Sequence, residues 1–253
     1  MPDMPDTELT RSYVAYLDII GYTTLVEEAV RRETVQQTVQ RLLDATEGAK
    51  QACEGWIADR SMEVFSDCVL LALPESTGTA LGILQYAAHV TGRLAYHDFW
   101  VKGAIVHGLH IHRDSVLFSP ALVAAHGMEQ TEAFHPRVLV DDEVVKRCRE
   151  SVSDGGDEEL LNGIWCDNDG RSFLNYLGLT AGRDPQHSES RTLMMTHQRN
   201  LQNQLCTPGL KPRYAAKYAW LASYHDRFCL EGLPHGEGTE YLIQWGGIKA
   251  AGT

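Results

Sequence analysis

Apolar and polar residues alternate along this chain in segments that predict β-strands separated by helices. Residues 12–17 are rich in Val, Tyr and Leu, and the run ends at Asp18 and Gly21, as is typical of a strand. Apolar residues at helical spacing follow over residues 33–52, after a shorter helix that Thr23 or Thr24 can cap. Residues 62–73 are again apolar and β-prone, interrupted only by Ser66-Asp67, so we expect a hairpin that turns at the aspartate.

The remaining pattern to residue 148 completes an alternating set of elements. We predict a helix over 76–96, a strand over 100–109, a helix over 119–131 capped by Ser119, a strand over 137–140 and a helix beginning at three consecutive acids from Asp141. The resulting order is β-α-α-β-β-α-β-α-β-α. A hairpin between helices favours an α+β fold with a ferredoxin-like antiparallel-sheet core and helices on one face.

The composition shifts suggest four segments. Residues 1–11 are predicted to be a flexible lead, 12–150 the main domain, and 232–253 a loose Gly-rich tail. An acidic stretch at 151–159 marks the start of an extension over 151–231 that we expect to pack on the core. Within it, short strands at 164–165 and 172–177 flank the turn Asp167-Asn168-Asp169-Gly170, and helices are expected over 187–206 and 213–230.

Charge and cysteine content narrow the function classes. The chain has 253 residues and a formal net charge of −12, which disfavours general binding to nucleic acid or to an anionic membrane. None of the six cysteines forms a C-x-x-C pair, which disfavours zinc ribbons and thioredoxin-like redox sites. No apolar run approaches the ~20 residues of a membrane span. We therefore expect a soluble cytoplasmic protein with free thiols.

Two aspartates stand out by their positions. Asp18 ends the first strand, and Asp67 lies at the tip of the hairpin. If these elements are neighbours in one sheet, both carboxylates meet at one edge, where a divalent cation such as Mg²⁺ or Mn²⁺ would relieve their repulsion. The glycine turn and helix start behind Asp18 provide backbone N–H groups that suit phosphate. The alternative is that each aspartate is an ordinary turn residue.

Three segments carry a resemblance to a known family. Residues 16–23 read Tyr-Leu-Asp-Ile-Ile-Gly-Tyr-Thr, residues 65–71 read Phe-Ser-Asp-Cys-Val-Leu-Leu, and residues 102–108 read Lys-Gly-Ala-Ile-Val-His-Gly. In this order they resemble the first metal motif, the hairpin motif and the next core strand of the class III nucleotidyl cyclases. The similarity extends over about residues 12–148.

The resemblance implies a homodimer with two composite sites and two Mn²⁺ or Mg²⁺ ions per site. The ions would be held by Asp18, Asp67 and the backbone carbonyl of Ile19, with both aspartates catalytic. The ribose 3′-oxygen would attack the α-phosphorus in line and release diphosphate. The implied substrate contacts are Tyr16, the backbone N–H groups of Ile20, Gly21, Tyr22 and Thr23, the side chain of Glu63, and Arg60.

Departures from the family pattern concern the α-phosphate and the base. Val123 and Gly127 stand where the family carries Asn and Arg, which leaves Arg60 or Arg113 as candidates for the missing cation; a surface charge is the alternative for each. Glu63 stands where adenylyl cyclases carry Lys and guanylyl cyclases Glu. A carboxylate accepts N–H donors, which argues against adenine and leaves guanine, uracil and cytosine open. An exposed strand position is the alternative for Glu63.

Two further segments resemble one branch of the family. Residues 118–129 and 217–225 are similar to the pyrimidine cyclases of Pycsar anti-phage defence. That resemblance implies cyclic UMP or cyclic CMP made from UTP or CTP, and a separate effector that the messenger activates without direct contact between the two proteins. The alternatives are a guanylyl cyclase and a catalytically degenerate domain that binds a nucleotide or a partner.

Overall fold

The computed structural model describes residues 9–52, 60–76, 79–113, 116–182, 186–234 and 236–245. The strands are β1 Thr10–Ile19, β2 Ser61–Phe65, β3 Cys68–Pro74, β4 Val101–Arg113, β5 Val116–Phe118, β6 Val138–Val140, β7 Ile164–Cys166 and β8 Ser172–Leu174. The α-helices are α1 Tyr22–Arg31, α2 Val35–Ala52, α3 Ala80–Tyr96, α4 Pro120–Glu132, α5 Asp142–Ser153, α6 Tyr176–Thr180, α7 Ser188–Leu205 and α8 Pro212–Arg227.

The strands form one sheet in the order β2-β3-β1-β4-β6-β8-β7, and β5 pairs with the end of β4. Among its first four strands, each strand is antiparallel to its neighbours, as expected for a ferredoxin-like βαββαβ core. The pair β4 and β6 is parallel, and β6, β8 and β7 are again antiparallel. The predicted α+β class and the antiparallel core are therefore confirmed.

Side chains of β1 alternate between two faces of the sheet. We call the face that carries Tyr16 and Asp18 the site face, and the face that carries Leu17 the helix face. Helix α3 covers the helix face, where Leu73 approaches Gly82. Helix α4 covers part of the site face, where the His126 ring packs edge-on against Tyr16 at 5.3 Å between ring centroids. The helices thus lie on both faces, whereas one face was expected.

Close approach of β4 to β1 explains one glycine of the core. A Cβ atom built on Gly103 would lie 2.0 Å from the carbonyl oxygen of Tyr16. No side chain fits at that separation, so only glycine lets β4 pair with β1 at this point. The pairing in turn sets Lys102 opposite Asp18 in the register.

Some local predictions were wrong in their boundaries or caps. Helix α1 begins after Gly21, which has φ of 74°, and no side chain caps it, so neither Thr23 nor Thr24 is the N-cap. The strand predicted to run to residue 177 ends at 174, because the Asn175 side chain accepts from the Gly178 N–H and starts α6. Such capping by Asn is a signal that sequence reading can detect.

The C-terminal extension continues the sheet and adds helices beside it. Strand β8 pairs with β6 through Leu139 and Phe173, so residues of the extension and of the core share one sheet. Within the predicted tail, Thr239–Tyr241 form a short 3-10 helix. His225 contacts the carbonyl oxygen of Tyr241 at 2.8 Å through Nε2, and Tyr241 and Ile243 are buried. Residues 1–8 and 246–253, at the ends of the predicted lead and tail, lie outside the described residues.

No helix in the described ranges combines the length and apolarity needed to cross a membrane. The five cysteines within those ranges are all free thiols, namely Cys68, Cys148, Cys166, Cys206 and Cys229.

Candidate active site

Two segments far apart in sequence bring the predicted carboxylates together. Strand β1 presents Asp18 on the site face, and the tight turn between β2 and β3 presents Asp67. The Ile19 N–H donates to the Asp67 carbonyl oxygen at 2.6 Å, which fixes the turn against the end of β1. One ligand atom each of Asp18, Asp67 and Cys68 lies within 4.8 Å of the others. This spacing suits a cation bound between the two carboxylates.

The surroundings of Asp18 disfavour its negative charge. Burial raises the pKa of this carboxyl group from 3.8 to about 6, and the nearby carboxylates of Glu129 and Asp67 act in the same direction. The ammonium groups of Lys102 and Lys217 partly oppose this shift. A half-buried carboxylate whose environment favours the proton is a group that gains strongly from a divalent cation.

Cys68 belongs to the same cluster but does not suit the metal. Burial raises the pKa of its thiol to about 11, so it stays protonated at neutral pH. Its S–H donates to the Asp67 carboxylate at 3.5 Å, and its sulfur lies 2.9 Å from the Tyr16 hydroxyl. Mg²⁺ and Mn²⁺ prefer oxygen ligands to a neutral thiol. The Tyr16 hydroxyl therefore positions the Cys68 thiol, and the thiol in turn orients the Asp67 carboxylate. The sequence did not indicate these contacts.

An ion pair on the site face borders the carboxylates. Lys102 of β4 lies opposite Asp18 in the strand register and pairs with the carboxylate of Glu129 from α4. The Glu129 side chain is fully buried, and its other oxygen accepts from Gln130 at 2.8 Å. Because a buried carboxylate needs a cation beside it, Glu129 holds the Lys102 ammonium group in place next to Asp18.

The start of α1 lies directly behind Asp18. Gly21 adopts a left-handed conformation that lets the chain turn from β1 into the helix, and its carbonyl accepts from the Leu25 N–H at 2.9 Å. The N–H groups of Tyr22, Thr23 and Thr24 belong to the first turn and have no acceptor within the helix. The Ile20 N–H, however, donates to the Trp100 carbonyl at 2.8 Å. The phosphate role predicted for Ile20 therefore does not fit, and Thr24 is better placed.

Glu63, predicted to contact the base, lies in the middle of β2, and Arg60, a predicted cation of the site, precedes this strand. Glu63 faces the same side as Tyr16, since both pair with Leu70, and its carboxylate lies 3.5 Å from Nδ1 of His112. Arg60 precedes β2, and its guanidinium donates to the Lys50 carbonyl at 3.3 Å. At about 3.3 Å per residue, Arg60 is roughly 20 Å from the hairpin tip. Within one protomer, Arg60 does not fit the predicted triphosphate contact.

Val123 and Gly127, the two positions that depart from the resembled cyclase motif, lie on the open side of α4. Val123 is 73% exposed, and a Cβ atom built on Gly127 would meet nothing within 4 Å. The two positions are four residues apart and therefore share one side of the helix. No cation replaces the family's Arg at either position. Arg137, a nearby basic residue in sequence, is buried in ion pairs with Asp167 and Asp169.

Several residues of the site were not found from the sequence. They are Cys68 and Glu129 around the carboxylates, and Tyr214 and Lys217 of α8, which approach the start of α1. A charged residue inside an otherwise apolar strand or helix is a signal that points to Lys102 and Glu129. No sequence pattern places α8 beside β1, because that contact joins elements about 200 residues apart.

The chain is similar in structure to solved proteins. The chain is similar to the crystal structure of the guanylyl cyclase Cya2, with 11% identity, a TM-score of 0.44, and coverage of 66% of this chain and 91% of the other. No protein-family model matches the chain. No curated protein matches it either. A similarity at this level concerns neither the substrate nor the roles of individual residues.

Proposed function

We propose that the protein is a nucleotidyl cyclase that converts a pyrimidine nucleoside triphosphate, UTP or CTP, into its 3′,5′-cyclic monophosphate. The observation that carries this proposal is the carboxylate pair of Asp18 and Asp67 directly in front of the uncapped start of α1. A carboxylate pair binds divalent metal, and a helix N-terminus binds phosphate. The adjacency of the two suits a metal-bound triphosphate.

The donor set fits Mn²⁺ or Mg²⁺. Both aspartates offer carboxylate oxygens, and burial together with the carboxylates of Glu129 and Asp67 raises the pKa of Asp18, so a bound cation would favour its ionised form. Two such ions, held by Asp18, Asp67 and the predicted carbonyl of Ile19, would lower the pKa of the ribose 3′-hydroxyl and neutralise the triphosphate. The chain itself fixes the carboxylates, through the Ile19–Asp67 backbone hydrogen bond and through Cys68 and Tyr16.

The reaction forms one bond and breaks another at the α-phosphorus. The 3′-oxygen bonds to phosphorus, the bond from phosphorus to the oxygen that bridges to the β-phosphate breaks, and diphosphate leaves. The hydroxyl proton passes to solvent. The first-turn N–H groups of Tyr22, Thr23 and Thr24 would hold the leaving phosphates, so that the attacking and leaving oxygens stay in line.

Glu63 supports a base other than adenine. Its carboxylate lies on the site face, half-exposed and beside His112, where it can accept an N–H from a base. Uracil presents N3–H and cytosine its N4 amine, whereas guanine presents N1–H and N2–H. The choice of a pyrimidine over guanine rests on the resemblance of residues 118–129 and 217–225 to the Pycsar cyclases. The same resemblance supports a second-messenger role in anti-phage defence, acting through a separate effector in the cytoplasm.

Exposed aliphatic and aromatic side chains support the proposed homodimer. Helices α1 and α2 expose Val26, Val30, Val35, Val39 and Leu43, while β5, α4 and the segment after it expose Val116, Phe118, Val123 and Phe134. Large apolar surfaces of this kind mark interfaces. The group on α1 and α2 of one protomer can pack on the group around β5 and α4 of its partner. A two-fold axis then repeats the same contact with the protomers exchanged.

We expect sedimentation to give a mass twice the 28.2 kDa of one chain. Val39→Glu places a charge on the exposed side of α2, so it should yield folded monomers without cyclase activity. The matched control is Leu230→Glu, at another exposed apolar position, which should remain dimeric and active. A Val39→Glu protein that stays dimeric would rule out α2 as an interface, and an active monomer would rule out composite sites.

The substrate is identified by product analysis. We expect that incubation with each of the four nucleoside triphosphates and Mn²⁺ gives cyclic UMP or cyclic CMP as the main product, detected by mass spectrometry. Cyclic GMP as the only product would replace the pyrimidine proposal by a guanylyl cyclase. No cyclic product from any of the four would favour a domain that binds a nucleotide or a partner without catalysis. This second candidate is favoured by Val123 and Gly127 on α4, which replace the expected Asn and Arg.

A further inference from the structure

Helix α8 of the C-terminal extension packs on the turn between β1 and α1. A Cβ atom built on Gly21 would lie 3.7 Å from Cε1 of Tyr214, so the tyrosine ring covers the turn at van der Waals distance. The Tyr214 hydroxyl accepts a hydrogen bond from Arg213 at 3.2 Å, and the nearby Thr24 side chain lowers the pKa of this hydroxyl. These contacts fix the first turn of α8 against the start of α1.

Lys217 lies one turn further along the same side of α8. It is three residues after Tyr214 and four after Arg213, which places all three on neighbouring positions of the helix surface. Lys217 is half-buried, and its ammonium group interacts electrostatically with Lys102 and with Asp18. Helix α8 thus brings a second lysine, besides Lys102, near Asp18.

The charge of Lys217 is not balanced by a carboxylate of its own. Lys102 already has Glu129 as its partner, whereas no ion pair joins Lys217 to a carboxylate within the described ranges. Partial burial beside Lys102 and Arg213 disfavours its positive charge. Two lysines held together in a partly buried place repel each other, and an anion bound between them would remove that repulsion.

The neighbouring groups indicate which anion fits. Helix α8 contacts the turn before α1 through Tyr214, and Lys217 on the same helix interacts with Asp18. A nucleoside triphosphate carries several negative charges along its three phosphates. An ammonium group that contacts these phosphates, in addition to the N–H groups at the start of α1, is a strong, charge-assisted donor.

We infer that Lys217 contacts the β- or γ-phosphate of the substrate bound at Asp18 of the same protomer, so that the C-terminal extension completes the active site. The inference rests on the proposed function for the identity of the substrate. Tyr214 acts as a positioning residue, because its contacts with Gly21 and Thr24 hold α8 where Lys217 reaches the site.

The test compares Lys217→Gln and Lys217→Arg with Lys146→Gln, a change at an exposed lysine of α5 that pairs with Glu150. Affinity for inorganic tripolyphosphate with Mn²⁺ is measured by calorimetry, and KM and kcat are measured with the preferred triphosphate. We expect Lys217→Gln to weaken tripolyphosphate binding and to raise KM by roughly tenfold or more, the size of a hydrogen bond to a charged group. Lys217→Arg should retain most of both, and Lys146→Gln all of both.

The outcomes separate this inference from the proposed function. Equal tripolyphosphate affinity in wild type and Lys217→Gln, with equal melting temperatures, would overturn the inference even if the protein is a cyclase. A wild-type protein that binds no tripolyphosphate would overturn it as well. Conversely, weaker tripolyphosphate binding by Lys217→Gln in a protein that makes no cyclic product would support the inference and remove the cyclase proposal.

Discussion

Asp67→Ala should abolish nucleotide cyclisation, by a factor on the order of 1,000 or more, while the protein remains folded. The Asp67 carboxylate lies with that of Asp18 in one cluster, and the turn that carries it is held by backbone hydrogen bonding to Ile19. The alanine variant therefore loses a metal ligand without losing the turn. Initial rates with saturating triphosphate and Mn²⁺ measure the effect.

Asp18→Asn should likewise abolish activity, and it should raise the stability of the metal-free protein. The pKa of Asp18 in the folded protein is raised from 3.8 to about 6, so the ionised carboxylate destabilises the fold above pH 4 and does so fully above pH 6. After allowance for solvent screening, the gain at neutral pH is roughly 1 to 2 kcal/mol, and it disappears below pH 4. Urea unfolding at pH 7.5 and pH 4 measures this difference.

Metal binding distinguishes these effects from general damage. Mn²⁺ should raise the melting temperature of the wild type, since it binds the folded state, and should do so less at pH 5, where protons compete for Asp18. Neither Asp67→Ala nor Asp18→Asn should respond to Mn²⁺. Asp154→Asn, at an exposed helix end, serves as the control and should behave as wild type. Full activity in Asp67→Ala would show that the metal assignment is wrong.

Arg137→Met should be the most destabilising single substitution of those considered. The guanidinium is completely buried and forms ion pairs with Asp167 and Asp169 on the turn between β7 and β8. Removal of the arginine leaves both carboxylates without their cation, and breaking a buried pair in this way costs about 3–5 kcal/mol. For a chain of this length, that corresponds to a fall in melting temperature of roughly 6–20 °C.

A surface pair provides the matched control for Arg137. Lys146→Met removes the exposed partner of Glu150 at 3.8 Å and should change the free energy of unfolding by less than about 0.5 kcal/mol. Calorimetry of the two variants beside the wild type measures both effects. A melting temperature of Arg137→Met within about 3 °C of the wild type would mean that the ion pairs are not formed in solution.

The turn at Asp167 was predicted correctly from the sequence, but the partners of its aspartates were not. Residues 167–170 were expected to form a hairpin turn, and they do: the Gly170 N–H donates to the Asp167 carbonyl at 2.9 Å, and Gly170 has φ of 79°. The sequence did not indicate that the two aspartates would neutralise Arg137, nor that Trp220 would donate to Asp167 at 3.1 Å. Arg137 directly precedes β6 and Trp220 belongs to α8, so both partners are remote in sequence.

The sequence by itself determined the local features of the site. An apolar run that stops at Asp18, a glycine at position 21 and a polar break at Ser66-Asp67 report directly on strand ends and turns, because such features depend on neighbouring residues. The same pattern predicted the order of helices and strands in the core, and the hairpin between two helices favoured a ferredoxin-like fold. Both aspartates were therefore correctly placed on their elements, whereas α1 begins at Tyr22, earlier than a cap at Thr23 or Thr24 would allow.

Only the tertiary structure decided what surrounds those features. Periodicity tells which face of an element is buried but not which other element covers it, so the contact of Tyr16 with Cys68 and the approach of α8 to Gly21 were invisible in the sequence. Glu129 and Lys217 affect Asp18 from 111 and 199 residues away, by the difference of their numbers. Electrostatic effects depend on distance in space, and only packing sets that distance.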